Sequence, residues 1–420
     1  MRYEEALLYV KNLPNCGFRR YGLNGIRAIL EILGNPQEKL RYIHIAGTNG
    51  KGSVASFCAK SLEVSGFKTG LYISPYVLNF RERIQINGSF IKKAELCFLV
   101  EELKICVENL NKKGIFLTGF DFITALAFKY FFENRCEFVV LEVGMGGALD
   151  STNVISRSDV AVINHIDYDH VKELSLNSCS VLDIAKEKAG IIKENGTCVF
   201  SRNQYKDVMD FFKREAKRKG ASFSVPEKAT EVFCSCSGNS FKFKGNFFTT
   251  KLFGLHQIEN AISSIEALLK IGIKIEYIKK GLKEAYIPAR MEIINKSPMV
   301  VLDGAHNEDA FICLKNNLKF FSNNLKIAVI SIIKTKDYRK MLEAIDGVFD
   351  FVVFTKMKDE RGVESAVLGE IAKEIDMKFF VEGNLEKALL FSMDFAKKNN
   401  ATVFVFGSLY FASEVLKFLG

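Results

Sequence analysis

The feature that most restricts the fold is a regular alternation of short apolar, β-branched runs with longer segments of helical periodicity. Continuous apolar strands are typical of a parallel sheet that is covered on both faces, and the helical segments supply the connections between strands. The pattern therefore predicts an α/β protein with a doubly wound parallel sheet. The predicted strands are residues 42–46, 70–73, 138–143, 160–164, 197–200, 299–302, 327–331, 351–354, 378–381 and 403–406.

Two stretches interrupt this alternation. Residues 223–252 are short, alternating and glycine-containing, which predicts a small antiparallel elaboration of the first domain. Around Pro288 the helical pattern ends, and strand, loop and helix then begin again. We therefore expect a first domain over residues 1–287, a linker over 288–297 and a smaller, Rossmann-like α/β domain over 298–420.

The strongest local motif follows the first predicted strand. Gly47-Thr48-Asn49-Gly50-Lys51-Gly52-Ser53 joins that strand to a predicted helix. The glycines let backbone N–H groups converge on phosphate oxygens at a helix N-terminus, while the lysine supplies a cation and the serine hydroxyl can face Mg²⁺. An extra glycine separates the lysine from the serine, so the spacing is not the common one. The order of strand, loop, lysine, hydroxyl and helix nevertheless predicts nucleotide binding rather than a structural turn.

Four further predicted strands end in polar side chains that could take part in chemistry. Ligands of open parallel sheets bind beyond the carboxyl ends of the strands, so we expect these side chains to lie near the phosphate loop. Each one alone has an ordinary structural explanation, but together they predict an oxygen-rich Mg·ATP site. They are Ser74, Glu142, His165, Asp167, Asp169, His170, Asp303 and His306.

Lys188 stands out in the predicted helix over residues 181–192. At about 100° per residue, the apolar side chains fill one arc of this helix, and Asp183, Lys186 and Glu187 fall on the opposite side. Lys188 lies inside the apolar arc. A lysine in that position must reach solvent along its stem, pair with an anion or lose its charge, and the helical geometry leaves these alternatives open.

Ten segments together resemble the folylpolyglutamate synthase/dihydrofolate synthase family, within the wider Mur ligase group. They follow the family's order across almost the whole chain: GTNGKGS (47–53), YISP (72–75), TGFDFITALAF (118–128), LEVGMGGALDSTN (141–153), DH (169–170), EKAGI (187–191), GLHQIENA (254–261), PAR (288–290), DGAHN (303–307) and FGSLY (406–410).

The resemblance implies a Mur-ligase-type first domain that binds ATP and folate, and a second domain that serves glutamate ligation. The implied reaction is ATP-dependent amide formation, in which a carboxylate is phosphorylated and the amino group of L-glutamate attacks the acyl phosphate. The acceptor would be a reduced folate such as tetrahydrofolate, or 7,8-dihydropteroate, which gives dihydrofolate. The motifs do not separate these two acceptors.

The resemblance also implies roles for individual residues. Lys51, Glu142, His170 and Lys188 would form the catalytic group, with one Mg²⁺ on Ser74 and Glu142, a second on His170 and a carbamate on Lys188. The ATP contacts would be Thr48, Asn49, Gly50, Lys51, Gly52, Ser53, Asn260, Arg290, Asp303 and His306. The contacts on the pterin side would be Asn12, Leu13, Pro14, Asn15, Thr118, Gly119, Phe120, Asp121, Leu149, Asp150 and Ser151.

Two positions depart from the family pattern. Tyr76 stands where many members have histidine after Ser-Pro, and Ala289 replaces the glycine of Pro-Gly-Arg. We expect these departures to alter substrate fit or loop shape.

Composition and charge limit the class of partner. The 58 basic and 49 acidic residues give a net charge of +9, but the lysines are spread along the chain without a long basic tract, so we expect no nucleic-acid partner. No apolar run approaches the ~18–20 residues of a membrane span, and the N-terminus is not that of a signal peptide. The scattered cysteines are typical of free thiols. We expect a cytoplasmic protein acting on small molecules, and a monomer, as family members generally are.

Three alternatives remain. A cell-wall Mur ligase acting on a UDP-linked substrate carries a UDP-binding domain before the phosphate loop, whereas only 46 residues precede Gly47 here. A metallohydrolase could use the run His165-x-Asp167-x-Asp169-His170, but it would leave the phosphate loop unused. A nucleotide-binding regulatory protein would not need the four predicted catalytic residues.

Overall fold

The computed structural model describes residues 1–14, 22–168, 180–321 and 325–419. The chain forms two compact units. The first comprises Met1–Thr230, Lys242–Phe248 and Glu259–Ala285, and the second comprises Glu231–Phe241, Thr249–Ile258 and Tyr286–Gly420. The domain boundaries expected from the sequence stay predictions.

The first unit is built on an eight-stranded sheet. Its strands are β1 (Tyr42–Ala46), β2 (Thr69–Tyr72), β3 (Ile84–Ile86), β4 (Ser89–Phe90), β5 (Phe138–Glu142), β6 (Val160–Ile163), β7 (Thr197–Phe200) and β8 (Ser222–Ser224). They are arranged in the order β4-β3-β2-β5-β1-β6-β7-β8. The strands from β2 to β8 in this order are parallel, and β3 and β4 add an antiparallel edge. Every residue of β1, β5 and β6 is buried, which explains their continuous apolar sequences.

Helices connect these strands, and their apolar faces are buried in the core of the unit. They are α1 (Tyr3–Asn12), α2 (Asn24–Ile32), α3 (Lys51–Val64), α4 (Lys93–Lys112), α5 (Gly119–Glu133), α6 (Val181–Lys188), α7 (Lys206–Arg218), α8 (Leu255–Lys270) and α9 (Ile275–Glu284). The residues of α8 are divided between the two units. Short 3₁₀ turns occupy Pro36–Lys39, Phe80–Arg83, Ser151–Val154 and Ala189–Ile191. The predicted helix over 181–192 is thus an α-helix that tightens into a 3₁₀ turn after Lys188.

Residues 230–250 form a three-stranded sheet of β9 (Thr230–Ser235), β10 (Gly238–Phe243) and β11 (Asn246–Thr250), in the order β11-β10-β9. Two-residue connections join these strands, and only antiparallel neighbours can be joined so tightly. This sheet is the small antiparallel elaboration that the sequence predicts, and its residues are divided between the two units.

The second unit contains a six-stranded sheet. Its strands are β12 (Glu292–Lys296), β13 (Met299–Leu302), β14 (Lys326–Ile330), β15 (Phe351–Lys356), β16 (Phe379–Asn384) and β17 (Thr402–Phe406), in the order β12-β13-β17-β14-β15-β16. All neighbours are parallel except β12 and β13. Its helices are α10 (Glu308–Asn317), α11 (Tyr338–Ala344), α12 (Ser365–Glu374), α13 (Leu385–Asn399) and α14 (Leu409–Leu419), with a 3₁₀ turn at Leu318–Phe320.

The α/β prediction is confirmed, and every predicted strand overlaps an observed one. The stretch 288–297, expected to be a linker, contains β12, which pairs with β13 as an edge strand. The cysteines of the described residues are free thiols. Within those same residues, no helix combines the length and apolar character needed to cross a membrane.

Candidate active site

The phosphate loop connects β1 to α3 and has a geometry that only glycine can adopt at its centre. Gly50 caps α3 with φ +79°, in the left-handed region. A Cβ atom on Gly50 would lie 2.3 Å from Asn260 Oδ1 and 2.4 Å from Asn164 Nδ2. The backbone therefore turns into α3 through a space that two amide side chains enclose.

The residues after β6 hold this loop in place. Thr48 N donates to the carbonyl of His165 at 2.8 Å, and the Thr48 hydroxyl donates to the carbonyl of Asp167 at 2.9 Å. Asn164 Nδ2 donates to the carbonyl of Asn49 at 2.9 Å and to Asn260 Oδ1 at 2.8 Å. The predicted phosphate-loop residues and Asn260 are thus brought together by one hydrogen-bond network.

Lys51 is the first residue of α3 and lies over the loop. Its Nζ donates to the carbonyls of Gly47 and Thr48, both at 3.0 Å. The N-terminal N–H groups of α3 and this ammonium give the loop a positive potential, which suits a polyphosphate.

Two buried hydroxyls lie at the same edge of the sheet. Ser53 and Ser74 each have a buried Oγ atom with no hydrogen-bond partner among the described residues. A buried hydroxyl without a partner is costly, and a ligand bound at this edge would supply the missing partner. Glu142, 4% exposed, accepts a hydrogen bond from Ser74 N at 3.0 Å. In the sheet, β5 lies between β2, which leads to Ser74, and β1, which leads to the phosphate loop. Glu142, the last residue of β5, therefore lies between them.

These oxygen atoms fit a magnesium ion. Mg²⁺ takes hard oxygen ligands and keeps several waters, so one carboxylate with serine hydroxyls is a suitable set. His170, the predicted ligand of a second magnesium ion, lies outside the described residues, as does Asp169. The assignment of metal ligands stays a prediction.

The remaining residues of the His165–His170 run position the phosphate loop. His165 Nδ1 lies 2.5 Å from the carbonyl of Asn203 and therefore carries the proton of that hydrogen bond. Asp167 N donates to the Thr48 hydroxyl at 3.0 Å. These contacts give both residues a structural role beside the phosphate loop.

Lys188 is the last residue of α6 and is only 4% exposed, so it faces inward as the helical arc predicts. The loop after Glu142 packs against it. A Cβ atom on Gly147 would lie 2.8 Å from Lys188 Cα, and Ala148 N donates to the carbonyl of Glu187 at 2.8 Å. A buried ammonium is costly unless an anion or modification compensates it. The carbamate on Lys188 stays a prediction.

Two of the segments predicted to bind the pterin meet at the start of α5. Thr118 caps α5, and the Asp121 carboxylate accepts from Thr118 N at 2.9 Å and from the Thr118 hydroxyl at 2.8 Å. The Ser151 hydroxyl donates to the other oxygen of Asp121 at 2.6 Å.

The other residues of the predicted pterin segments have varied surroundings. Gly119 N donates to the carbonyl of Pro14 at 3.1 Å, which brings in the end of α1. Asp150 accepts from Met145 N at 2.8 Å, and burial raises the pKa of its carboxyl group. Of the other predicted residues, Leu13 is buried, Asn12 and Leu149 are exposed, and Phe120 is half-buried. Asn15 lies outside the described residues.

In the second unit, Asp303 organises the turn that follows β13. Its carboxylate accepts from Met291 N and from Ala305 N, both at 2.7 Å. Burial of the carboxyl raises its pKa, and the positive charge of Arg290 opposes that rise. His306 Nδ1 donates to the carbonyl of Gly304 at 2.8 Å. Asp303 and His306 therefore lie in one turn, and the segment that contains Arg290 is hydrogen-bonded to it.

The two departures from the family pattern have defined surroundings. The rings of Tyr76 and Phe80 pack edge to face with 5.7 Å between centroids. Ala289 is fully buried and adopts φ +55°, a left-handed conformation that favours glycine. The effect of each on substrate fit stays a prediction.

Two family models match the chain. The Mur ligase middle domain matches residues 117–268, and the glutamate ligase domain of Mur ligases matches residues 289–409. A dihydrofolate synthase/folylpolyglutamate synthase of Bacillus subtilis is 34% identical, over 99% of this chain and 98% of the relative. A folylpolyglutamate synthase of Lacticaseibacillus casei is 32% identical over the same shares.

Solved structures give the same similarity. Folylpolyglutamate synthase of Mycobacterium tuberculosis, complexed with ADP and AMPPCP, has a TM-score of 0.90 at 28% identity and covers 100% of this chain and 99% of its own. A folylpolyglutamate synthase complex with AMPPCP and folate has a TM-score of 0.86 at 30% identity and covers 100% of both chains.

Proposed function

The chain belongs to the folylpolyglutamate synthase/dihydrofolate synthase family of Mur ligases, and on this premise we propose that it is an ATP-dependent ligase that joins L-glutamate to a folate or to 7,8-dihydropteroate. The similarity covers both units. The named relatives are folate enzymes, so a cell-wall ligase acting on a UDP-linked substrate is not supported.

The observation that carries the proposal is the arrangement at the edge of the first sheet. The phosphate loop, the Glu142 carboxylate and the hydroxyls of Ser53 and Ser74 all follow neighbouring strands, and these hydroxyls have no partner among the residues that the structure describes. Such an arrangement suits a reaction in which a nucleotide triphosphate and a carboxylate, both anionic, must approach each other.

The reaction has two steps. An oxygen of the acceptor carboxylate forms a bond to the γ-phosphorus of ATP, and the bond from that phosphorus to the β–γ bridging oxygen breaks, which releases ADP. The amino nitrogen of glutamate then bonds to the acyl carbon, phosphate leaves, and the nitrogen loses a proton. Lys51 and the N-terminus of α3 hold the phosphates and offset their charge.

Ser53, Ser74 and Glu142 would hold a magnesium ion. When bound, such an ion neutralises charge on the phosphate oxygens. A second ion at His170 rests on the family resemblance.

The carbamate of Lys188 is a further part of the proposal. The carbon of CO₂ would bond to the neutral amine, and one amine proton would pass to solvent. The product is a carboxylate that faces inward beside the loop over 144–148. It would give a buried lysine an anionic group able to position magnesium or phosphate.

Lys188→Ala tests this role. We expect ligase turnover to fall by at least about 100-fold, because a preorganised charge at the reacting centre is lost, with partial recovery when a short carboxylic acid is added. Lys186→Ala is the control, since Lys186 is 56% exposed and pairs with Asp183. Near-normal turnover of Lys188→Ala would contradict the carbamate.

The test of the function itself is ATP consumption with each acceptor. We expect ADP release only when L-glutamate and either a reduced folate or dihydropteroate are present, with labelled glutamate in the product. Running both acceptors side by side shows whether one or both are substrates. ADP release that depends on a UDP-linked peptide precursor instead would overturn the proposal.

A further inference from the structure

Arg83 lies beside the candidate metal site but has no role in the sequence analysis. It ends the 3₁₀ turn Phe80–Arg83, immediately before β3. Its carbonyl accepts a hydrogen bond from Ile73 N at 3.1 Å. Ile73 directly precedes Ser74, whose N–H binds Glu142. The backbone of Arg83 is thus hydrogen-bonded to the residue next to Ser74, a predicted magnesium ligand.

The side chain of Arg83 is held by aromatic rings. The guanidinium carbon lies 5.3 Å from the centroid of the Tyr76 ring and 5.6 Å from that of Phe80. Stacking of this kind orients the planar group without using its N–H donors. Arg83 Nε is buried and has no hydrogen-bond partner within the described ranges.

The carboxylate nearest in sequence is already used. Glu82 accepts hydrogen bonds from the backbone N–H groups of Val77, Leu78 and Asn79, at 2.6 to 2.8 Å. It therefore closes the loop after Ser74-Pro75. No ion pair of Arg83 is found with any carboxylate of the described residues.

Arg81 provides a direct contrast two residues earlier. Its Nη1 donates to the carbonyl of Ile91 at 3.2 Å, and its Nε donates to Asn79 Oδ1 at 3.3 Å. Both arginines belong to the same turn and are half-buried. Of the two, Arg81 alone has side-chain donors bound to other residues in the part of the chain that the structure describes.

Tyr72 connects the strand pair beside Arg83 to the predicted pterin segment. It pairs with Ile84, the residue that follows Arg83, across β2 and β3. The Tyr72 hydroxyl bonds that of Thr124 on α5 at 2.8 Å, and the Tyr72 ring lies 6.1 Å from that of Phe120. The residues that pair with the segment around Arg83 therefore adjoin both Ser74 and α5.

We propose that Arg83 binds a carboxylate of the pteroyl acceptor. This inference rests on the proposed function and assigns a residue to the acceptor's charge. A guanidinium presents paired N–H donors that match the two oxygens of a carboxylate, and its charge offsets the repulsion between that carboxylate and ATP. The carboxylate is either the one that is phosphorylated or, in a folate, the second carboxylate of its glutamyl group.

The test measures equilibrium binding of three ligands to the whole enzyme. The ligands are dihydropteroate, tetrahydrofolate and an analogue of dihydropteroate that lacks the carboxylate. The proteins are the wild type, Arg83→Gln, Arg83→Lys and the control Arg81→Gln. We expect Arg83→Gln to weaken acceptor binding about 10- to 100-fold, as for loss of a charged hydrogen bond, and to leave binding of the analogue and of ATP unchanged. Arg83→Lys should recover part of the loss, since it keeps the charge without the paired donors.

The two acceptors distinguish the two carboxylates. Weaker binding of both acceptors assigns Arg83 to the carboxylate that is phosphorylated, and weaker binding of tetrahydrofolate alone assigns it to the second one. The inference is overturned if Arg83→Gln binds both acceptors like Arg81→Gln, or if it loses the analogue to the same extent. A wild type that neither binds nor uses either acceptor contradicts the proposed function instead.

Discussion

The two regions to which ATP contacts are assigned differ in how their polar atoms are used. Around the phosphate loop, amide side chains fix the backbone, and the hydroxyls of Ser53 and Ser74 are left buried without partners in the described structure. In the turn after β13, both oxygens of Asp303 accept backbone hydrogen bonds. The first region leaves buried hydroxyls as candidate ligand contacts, whereas the second uses its central carboxylate to fix its own turn.

The two regions also treat left-handed backbone differently. Gly50 has φ +79° in a space closed by amide atoms, whereas Ala289 has φ +55° and is accommodated with its methyl group. A side chain is excluded at the first position and tolerated at the second. Substitutions can test both differences.

Gly50→Ala should have the largest effect. The new methyl must displace Asn164 or Asn260, and a displacement near 1 Å in a catalytic loop costs on the order of 100-fold in turnover. Steady-state kinetics with ATP measure this loss. Gly66→Ala is the matched control, because Gly66 also has positive φ, +96°, but has no atom within 4 Å of the new Cβ. Equal activity of the two variants would show that a side chain is tolerated at position 50 as well as in an ordinary turn.

Ser74→Ala should lower activity but not stability. We expect kcat/KM to fall about 10- to 100-fold, as for a lost metal ligand, while the free energy of unfolding stays equal or rises because a partnerless buried hydroxyl is removed. Ser65→Ala is the control, since the Ser65 hydroxyl donates to the carbonyl of Ser61 at 2.6 Å. It should lose about 1 kcal/mol of stability and keep its activity. A destabilised Ser74→Ala would mean that this hydroxyl serves the fold.

Asp303→Asn should show the opposite behaviour. One of its two backbone hydrogen bonds is lost, because an amide NH₂ would face a backbone N–H, so we expect unfolding to cost about 1–3 kcal/mol less. Chemical denaturation gives this value. Unchanged stability with weakened ATP binding would show that Asp303 serves the nucleotide directly.

The difference in stability between the wild type and Asp303→Asn should depend on pH. Burial raises the pKa of Asp303 above its ordinary 3.8, so the folded state binds that proton more tightly than the unfolded state. The stability that protonation contributes is present below pH 3.8 and is lost as pH rises through the folded-state pKa. The wild type should therefore lose stability relative to Asp303→Asn over that interval. A constant difference would contradict the raised pKa.

Ala289→Gly should have the smallest effect. Relief of left-handed strain, about 1 kcal/mol, is opposed by greater freedom of the unfolded chain and by loss of a buried methyl group. We expect the free energy of unfolding to change by less than about 1 kcal/mol, measured by thermal or chemical denaturation. A gain above about 2 kcal/mol would show that Ala289 is as poorly suited to its position as a side chain is at Gly50.

The sequence predicts the buried centre of the fold better than its edges. β1 and β7 are predicted with their observed bounds, because a strand covered on both faces must be continuously apolar. The edge strands β4, β8 and β12 are missed because they are short and partly exposed and so carry no apolar run. These strands form by pairing with a neighbouring strand, and the local pattern of apolar residues does not predict that pairing.

The candidate site divides in the same way. The glycines of the phosphate loop and the inward position of Lys188 follow from local spacing, which sets backbone freedom and helix face. Arg83 gives no such signal, because its setting depends on the Phe80 ring of its own turn, on the Tyr76 ring of the preceding loop and on a neighbouring strand. The sequence predicts Asn164 only as the end of a strand, because its bonds to Asn49 and Asn260 depend on chain segments about a hundred residues away.

The enclosure of Gly50 by Asn164 and Asn260 links the histories of three positions. A side chain at position 50 fits only if Asn164 or Asn260 has already been replaced by a smaller residue. That earlier replacement would itself loosen the loop, because it removes hydrogen bonds that hold it. Such a path passes through a weakened enzyme, so an altered residue at position 50 should be found only together with a smaller residue at 164 or 260.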